Sequence, residues 1–327
     1  MKVARVILLI VVSISSANLQ AVEDPPAAPV VTEQQEYEIL MEELANSAST
    51  AATTVTDTVH ETVTPTSEAH YGYESTSEFP PERWNEIWPN CGGTKESPIN
   101  LISNSCKVDR SRYPLRFYNF DHNPSVTNIH NAGHTVMFSF TFRRGAPYVS
   151  RGILQSKRYN FAQLHFHFGK SDESGSEHTV DNKPYALELH MVFFKAEYGT
   201  IDEASLHEDG LIVIATLFEL GDVPNKGFTK YLSHVTESGQ TETLNNIPGS
   251  RLIDFIDTYK SKYVRYSGSL TTPPCSETVT WYVSTIPRKI SHDDLESFRA
   301  LKGDGGHSMS GNNRPVQAMN GRECYIR

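Results

Sequence analysis

The sequence predicts a single sheet-dominated domain of α+β class, mostly β with short helices, and three observations carry that expectation. The runs TVMFSFTF, ALELHMVFF, LIVIATLF and ETVTWYVS are short and rich in β-branched and aromatic residues, as strands are. Turn-rich segments such as GKSDESGSEH and DNKP separate such runs. Helical patterns are short and few; SHDDLESFRAL is the clearest, with Ser291 placed to cap it. The chain has 327 residues, 38% of them hydrophobic, and no visible repeat, which suits one sizeable core.

Taken in order, the chain opens with MKVARVILLIVVSISSANLQA. Lys2 and Arg5 precede an apolar run from Val6 to Val12 and then small residues. Residues 1–17 are therefore expected to be a signal peptide, too short to span a bilayer. No later run is long and apolar enough, so a secreted, extracellular protein with no membrane span is expected. Residues 18–70 hold ten acids and no Lys or Arg, and SASTAATTVTDTVHETVTPTS is dominated by Ser and Thr. Such a segment cannot bury enough apolar surface to offset its ordering entropy, which predicts a disordered acidic tail. Calcium-bearing or cationic surfaces are its expected partners. Tyr37, Leu40, Met41 and Leu44 within it have helical spacing.

The net charge is −10; with the leader's +2 and the tail's −10 removed, residues 71–327 carry −2. Nucleic acid is not an expected partner. The only local basic pairs, Arg143-Arg144 and Lys157-Arg158, are too small to be a phosphate-tracking surface. Secretion makes Cys91, Cys106, Cys275 and Cys324 disulfide candidates, and spacing does not choose among their three pairings.

The stretch FAQLHFHFG sets His165 and His167 on one face of a strand, where unpaired imidazoles are costly to bury. His190 lies in a second strand-like run, and the intervening segment is long enough to bring the two strands together antiparallel. A lone strand histidine is usually a satisfied core residue. Three converging imidazoles instead make a good zinc site with a fourth position left open. An iron site using Glu173 as carboxylate is weaker, because that residue lies in a polar turn. No phosphate-cradling loop and no nucleophile elbow occurs.

QLHFHFG, GSEHTVD, ELHMV and GSLTTPP followed by TVTWYV closely resemble motifs of the α-class carbonic anhydrases. SPINL (Ser97 to Leu101), NAGHTV (Asn131 to Val136) and NNRPVQ (Asn312 to Gln317) resemble further motifs in the right order. The resemblance covers Tyr71 to Arg327, expected to be one domain. It implies a large twisted, mainly antiparallel sheet and Zn2+ bound by His165, His167 and His190. It implies reversible hydration of CO2 to bicarbonate and a proton by zinc-bound hydroxide. By resemblance, Gln163, Glu188 and the Asn312 carbonyl would hydrogen-bond His165, His190 and His167. Thr271 would accept a hydrogen bond from the hydroxide and donate its own to Glu177, while Thr272 borders bicarbonate. Val192, Val213, Leu270, Val279 and Trp281 would line the CO2 pocket. His178 would pair with Tyr266 beneath the site, and His134 would carry the proton outward.

Extracellular relatives imply a Cys91–Cys275 bridge. The family's last strand runs beside the Cys106 segment, which implies Cys106–Cys324, with an intermolecular bridge through Cys324 as the alternative. Glu96, Phe168, Asn313 and Ser267 depart from the common pattern, which touches stability and cleft polarity rather than the ligands. The rival function is a non-catalytic relative serving as an extracellular binding or mineral-matrix protein. Loss of a zinc histidine would favour it, and all three are present.

Overall fold

The structure, a computed structural model, describes residues 69–222, 229–246, 252–255, 262–309 and 311–327. The expected signal peptide, the tail up to residue 68 and its stretch of helical spacing lie outside the described residues. The strands are β1 (Asn100–Leu101), β2 (Lys107–Val108), β3 (Leu115–Tyr118), β4 (Val126–Asn131) and β5 (Val136–Thr141). Next come β6 (Tyr148–Arg151), β7 (Tyr159–Phe168), β8 (Thr179–Val180), β9 (Leu187–Lys195) and β10 (Leu211–Leu220). The last are β11 (Thr241–Asn245), β12 (Tyr263–Gly268), β13 (Val279–Ser284), β14 (Arg288–Ile290) and β15 (Cys324–Ile326). Thirteen form one mixed sheet, and β1 pairs with β8 apart from it. Most pairings in the large sheet are antiparallel; β13 and β14 run parallel to β10, and β2 runs parallel to β15. The helices are short: α1 (Ile201–Ser205) and α2 (His292–Arg299), with 3-10 turns elsewhere.

The four strand-like runs read from the sequence become β5, β9, β10 and β13, and SHDDLESFRAL becomes α2. Ser291 caps that helix as expected, its hydroxyl accepting from the Asp294 N–H at 3.1 Å. No helix among the described residues is long and apolar enough to cross a membrane.

Strands β7, β9 and β10 occupy the middle of the sheet, and their side chains alternate between two buried faces. On one face Leu164, Phe166, Leu189, Met191, Phe193, Ile212 and Ile214 join the main core with Leu295 and Phe298 of α2. Phe166 is fully buried with its ring 4.8 Å from Phe298, a truncation site worth about 3–5 kcal/mol. The opposite face carries Val192, Val213, Val279 and Trp281 in a second cluster, and the histidines. Central strands therefore read as continuous apolar runs, because both faces are covered.

Two disulfides close the chain upon itself, Cys91–Cys275 and Cys106–Cys324, so no described cysteine is free for an intermolecular bridge. Cys275 is fully buried and follows the Thr271–Pro274 loop, packing with Trp84. The bridge spans 184 residues, and loop-closure entropy makes it worth up to about 5 kcal/mol. Replacing Cys91 and Cys275 by Ser is expected to lower the unfolding free energy from urea titration by that order, seen as a lower midpoint. An unchanged midpoint would mean that the bridge does not restrain the unfolded chain.

Candidate metal centre

His165 of β7 pairs directly with His190 of β9, and His167 pairs with Glu188. Antiparallel partners point to the same side of a sheet, so this register alone gathers three imidazoles and a carboxylate. The ring centroids lie 5.2 Å (His165 to His167), 5.2 Å (His165 to His190) and 4.5 Å (His167 to His190) apart. One ring nitrogen from each lies within 4.8 Å of the others.

Each imidazole commits its other nitrogen to a protein acceptor. His165 Nδ1 donates to Gln163 Oε1 at 2.9 Å, His167 Nδ1 to the Asn312 carbonyl at 2.7 Å, and His190 Nε2 to Glu188 Oε1 at 2.8 Å. These partners accept only, so the bonded nitrogen carries the proton and the opposite one keeps its lone pair. Nε2 of His165, Nε2 of His167 and Nδ1 of His190 are therefore the free donors. His167 Nε2 is buried with no hydrogen-bond partner, a deficit that a metal ion in this donor set would satisfy. Burial, together with the neighbouring imidazoles, pushes the pKa of all three histidines down and keeps them neutral.

The supporting polar groups form a continuous buried chain. Burial would raise the Glu188 carboxyl, but His178 and His190 beside it overcome this and hold it well below the usual range. His178 Nδ1 meets Glu188 Oε1 at 2.6 Å, its Nε2 meets the Tyr266 hydroxyl at 2.6 Å, and that hydroxyl meets Ser97 Oγ at 2.8 Å. Glu177 is also buried, and burial with the nearby Glu188 raises its carboxyl well above the ordinary value. Its Oε1 accepts from the Arg314 backbone N–H at 2.9 Å. The Thr271 hydroxyl pulls that pKa back down, although Glu177 Oε2 has no partner at standard hydrogen-bond geometry. Thr271 is buried and Thr272 half-buried on the same loop.

Val192, Val213, Val279 and Trp281 pack in one cluster, with the partly buried Leu270 against it. The Trp281 ring lies 4.8 Å from that of His190. His134 is half-buried on the turn before β5, its ring 5.0 Å from that of Tyr71. Desolvation lowers its pKa to about 4 against the pull of Asp304. Glu173 lies in an exposed turn outside this cluster. Asp172, His292 and Glu296 gather at the surface, but Arg299 Nη1 already bridges the two carboxylates at 2.7 and 2.6 Å.

Sequence reasoning missed two braces. The Asn312 side chain accepts from Phe168 N and donates to the Phe166 and His134 carbonyls, tying the ligand strand to the His134 turn. Arg314, fully buried, donates through Nη1 to Glu96 Oε2 at 2.6 Å and to the Ser97 carbonyl at 2.8 Å, and through Nη2 to the Cys91 carbonyl at 2.9 Å. The ion pair gives the unusual Glu96 a partner. NNRPVQ was the only signal that could have flagged either brace.

The eukaryotic-type carbonic anhydrase family model matches residues 80–327. Carbonic anhydrase 7 of Mus musculus is 36% identical over 256 residues, covering 74% of this chain and 92% of that protein. With the histidine cluster and its acceptors in place, these likenesses show that the chain belongs to the eukaryotic-type carbonic anhydrase family.

Proposed function

We propose that the domain binds Zn2+ through His165, His167 and His190 and catalyses the reversible hydration of CO2 to bicarbonate and a proton. The observation that carries this reading is the lone-pair arrangement: three neutral imidazoles, each oriented by an acceptor, offer nitrogens to one point. Zinc held there supplies an acidified water of pKa about 7, a property general to this enzyme family's metal centre. Gln163, Glu188 and the Asn312 carbonyl fix the imidazole tautomers and so make the ligands better bases. In this reading Glu177, held by the Arg314 N–H, accepts from the Thr271 hydroxyl, which would leave the threonine oxygen to accept at the reacting centre. Thr272 borders the product. Val192, Val213, Leu270, Val279 and Trp281 offer an apolar wall that suits CO2, and His134 passes the proton outward.

The two disulfides support a protein matured in an oxidising compartment, in keeping with residues 1–17 as a signal peptide and secretion. In this reading residues 18–70 are a solvated acidic tail before a domain at 71–327. No observation favours a non-catalytic role, since the ligand set, Thr271 and Glu177 are intact. Stopped-flow CO2 hydration decides the matter. Activity is expected in the purified protein, lost on dialysis against a zinc chelator and restored by stoichiometric zinc. Absence of hydration in zinc-loaded protein overturns the proposal.

A further inference from the structure

Residues 110–158 hold eight basic residues and one acid, Asp121, in a domain whose charge otherwise runs acidic. In the sequence these are isolated pairs; the fold joins them. Strand β3 pairs with β6, setting Arg116 opposite Ser150 and Tyr118 opposite Tyr148, while β6 pairs with β7 so that Tyr148 faces Asn160. Tyr118 and Tyr148 stack with centroids 4.6 Å apart, and the Arg158 guanidinium lies 4.1 Å above the Tyr148 ring. Arg116 and Arg158 therefore stand on one face, on either side of the tyrosine stack. Arg151, at the end of β6, lies opposite the buried Leu115 and so falls outside this face. The Arg143-Arg144 turn is tied to the other end of β3, where Asn119 Nδ2 donates to the Gly145 and Ala146 carbonyls. Both arginines line an open cavity of about 580 Å3 that also includes His122 and Asn246.

Many basic residues outside this segment are paired with acids. Elsewhere Arg83, Arg265, Arg299 and Arg314, and lysines such as Lys95, Lys170 and Lys302, sit against carboxylates. Arg116, Arg143 and Arg144 are exposed and make no ion pair or side-chain hydrogen bond among the described residues. Arg158 bonds only the Asn160 amide oxygen at 2.6 Å and the tyrosine face. The one acid within the cavity lining is Asp121.

We propose that this arginine face binds a sulfated polysaccharide. Guanidinium groups present forked donors that match a sulfate's oxygens two at a time, and weak hydration makes their transfer to such a partner favourable. The charges follow a ladder rather than a point, which suits a chain polymer. The tyrosines are stacked on each other and covered by Arg158, so no free aromatic platform is offered to a nucleic-acid base. The choice of polyanion rests on the secretion proposed above, which the two disulfides favour, since sulfated polysaccharides are abundant extended polyanions outside cells.

The full-length protein has a net charge of −10, so a polyanion retains it only through a local basic face. The full chain is expected to bind immobilised heparin at about 0.1 M salt and to elute as salt rises. Arg116→Gln/Arg158→Gln and Arg143→Gln/Arg144→Gln, all outside the metal centre, should each weaken binding about tenfold and lower the log–log salt slope by about one per arginine removed. Unchanged CO2 hydration in both variants reports an intact fold. The proposal is overturned if the wild type flows through, or if both variants are retained as tightly. It is likewise overturned if DNA or phosphatidylserine vesicles compete better than soluble heparin at equal charge, since the partner is then of another class.

Discussion

His165→Ala or His190→Ala is expected to release the zinc and bring CO2 hydration to background while most of the fold survives. Loss of an outer hydrogen-bond partner typically costs about 10–100-fold in metal affinity, and loss of a ligand removes the bond that partner serves. The strands tolerate the change because Leu164, Phe166, Leu189 and Met191 hold them from the opposite, fully buried face. Metal analysis with thermal unfolding provides the check. A chelator should lower the melting temperature of the wild type but leave that of either variant unmoved, since ligand binding stabilises only the form that binds. Full zinc occupancy with normal turnover in a variant would falsify the ligand assignment.

His134→Ala should slow maximal turnover at least tenfold in weak buffer and leave kcat/KM for CO2 nearly intact. In the proposed cycle a proton leaves the metal centre, and even an imidazole with its pKa lowered to about 4 accepts it more readily than bulk water does. Added imidazole should restore much of the loss. An equal fall in both constants, or no rescue, would pass the role to His130. The sign of the pH effect is fixed too. With a native pKa of about 4 and an ordinary value of 6.5, the unfolded chain takes up the proton first as pH falls. Stability is therefore lost from about pH 6.5 down to about 4, and the His134→Ala protein should be less acid-sensitive than the wild type across that window.

Much of this was legible in residues. The β-branched and aromatic runs marked the central strands because those strands are buried on both faces, and H-x-H announced a shared face by period two alone. Ser291 identified the start of α2 because a cap is a local device. The edges were less legible: β2, β3, β6 and β14 are short and partly exposed, so no apolar run marks them. The roles of Glu96, Arg314 and the Asn312 side chain depend on partners far along the chain, and no local pattern encodes such a partner. Likewise, Arg116 and Arg158 looked like scattered surface charge until strand pairing set them on one face beside the tyrosine stack. The low pKa of His134 arises from its packing, which the sequence around it does not specify.

Asn312 and Arg314 bear on the order in which this protein is made. Synthesis delivers the three histidines more than a hundred residues before those braces, while Cys91 waits 184 residues for Cys275 and Cys106 waits 218 for Cys324. A nascent chain can thus pair β7 with β9 and still lack the acceptor for His167, the N–H that holds Glu177 and both covalent closures. The contacts that finish the site are thus long-range ones, of the kind that form late while apolar strand faces are still exposed. A chain cut just before Asn312 would hold every ligand histidine and lack both the acceptor for His167 and the N–H that holds Glu177.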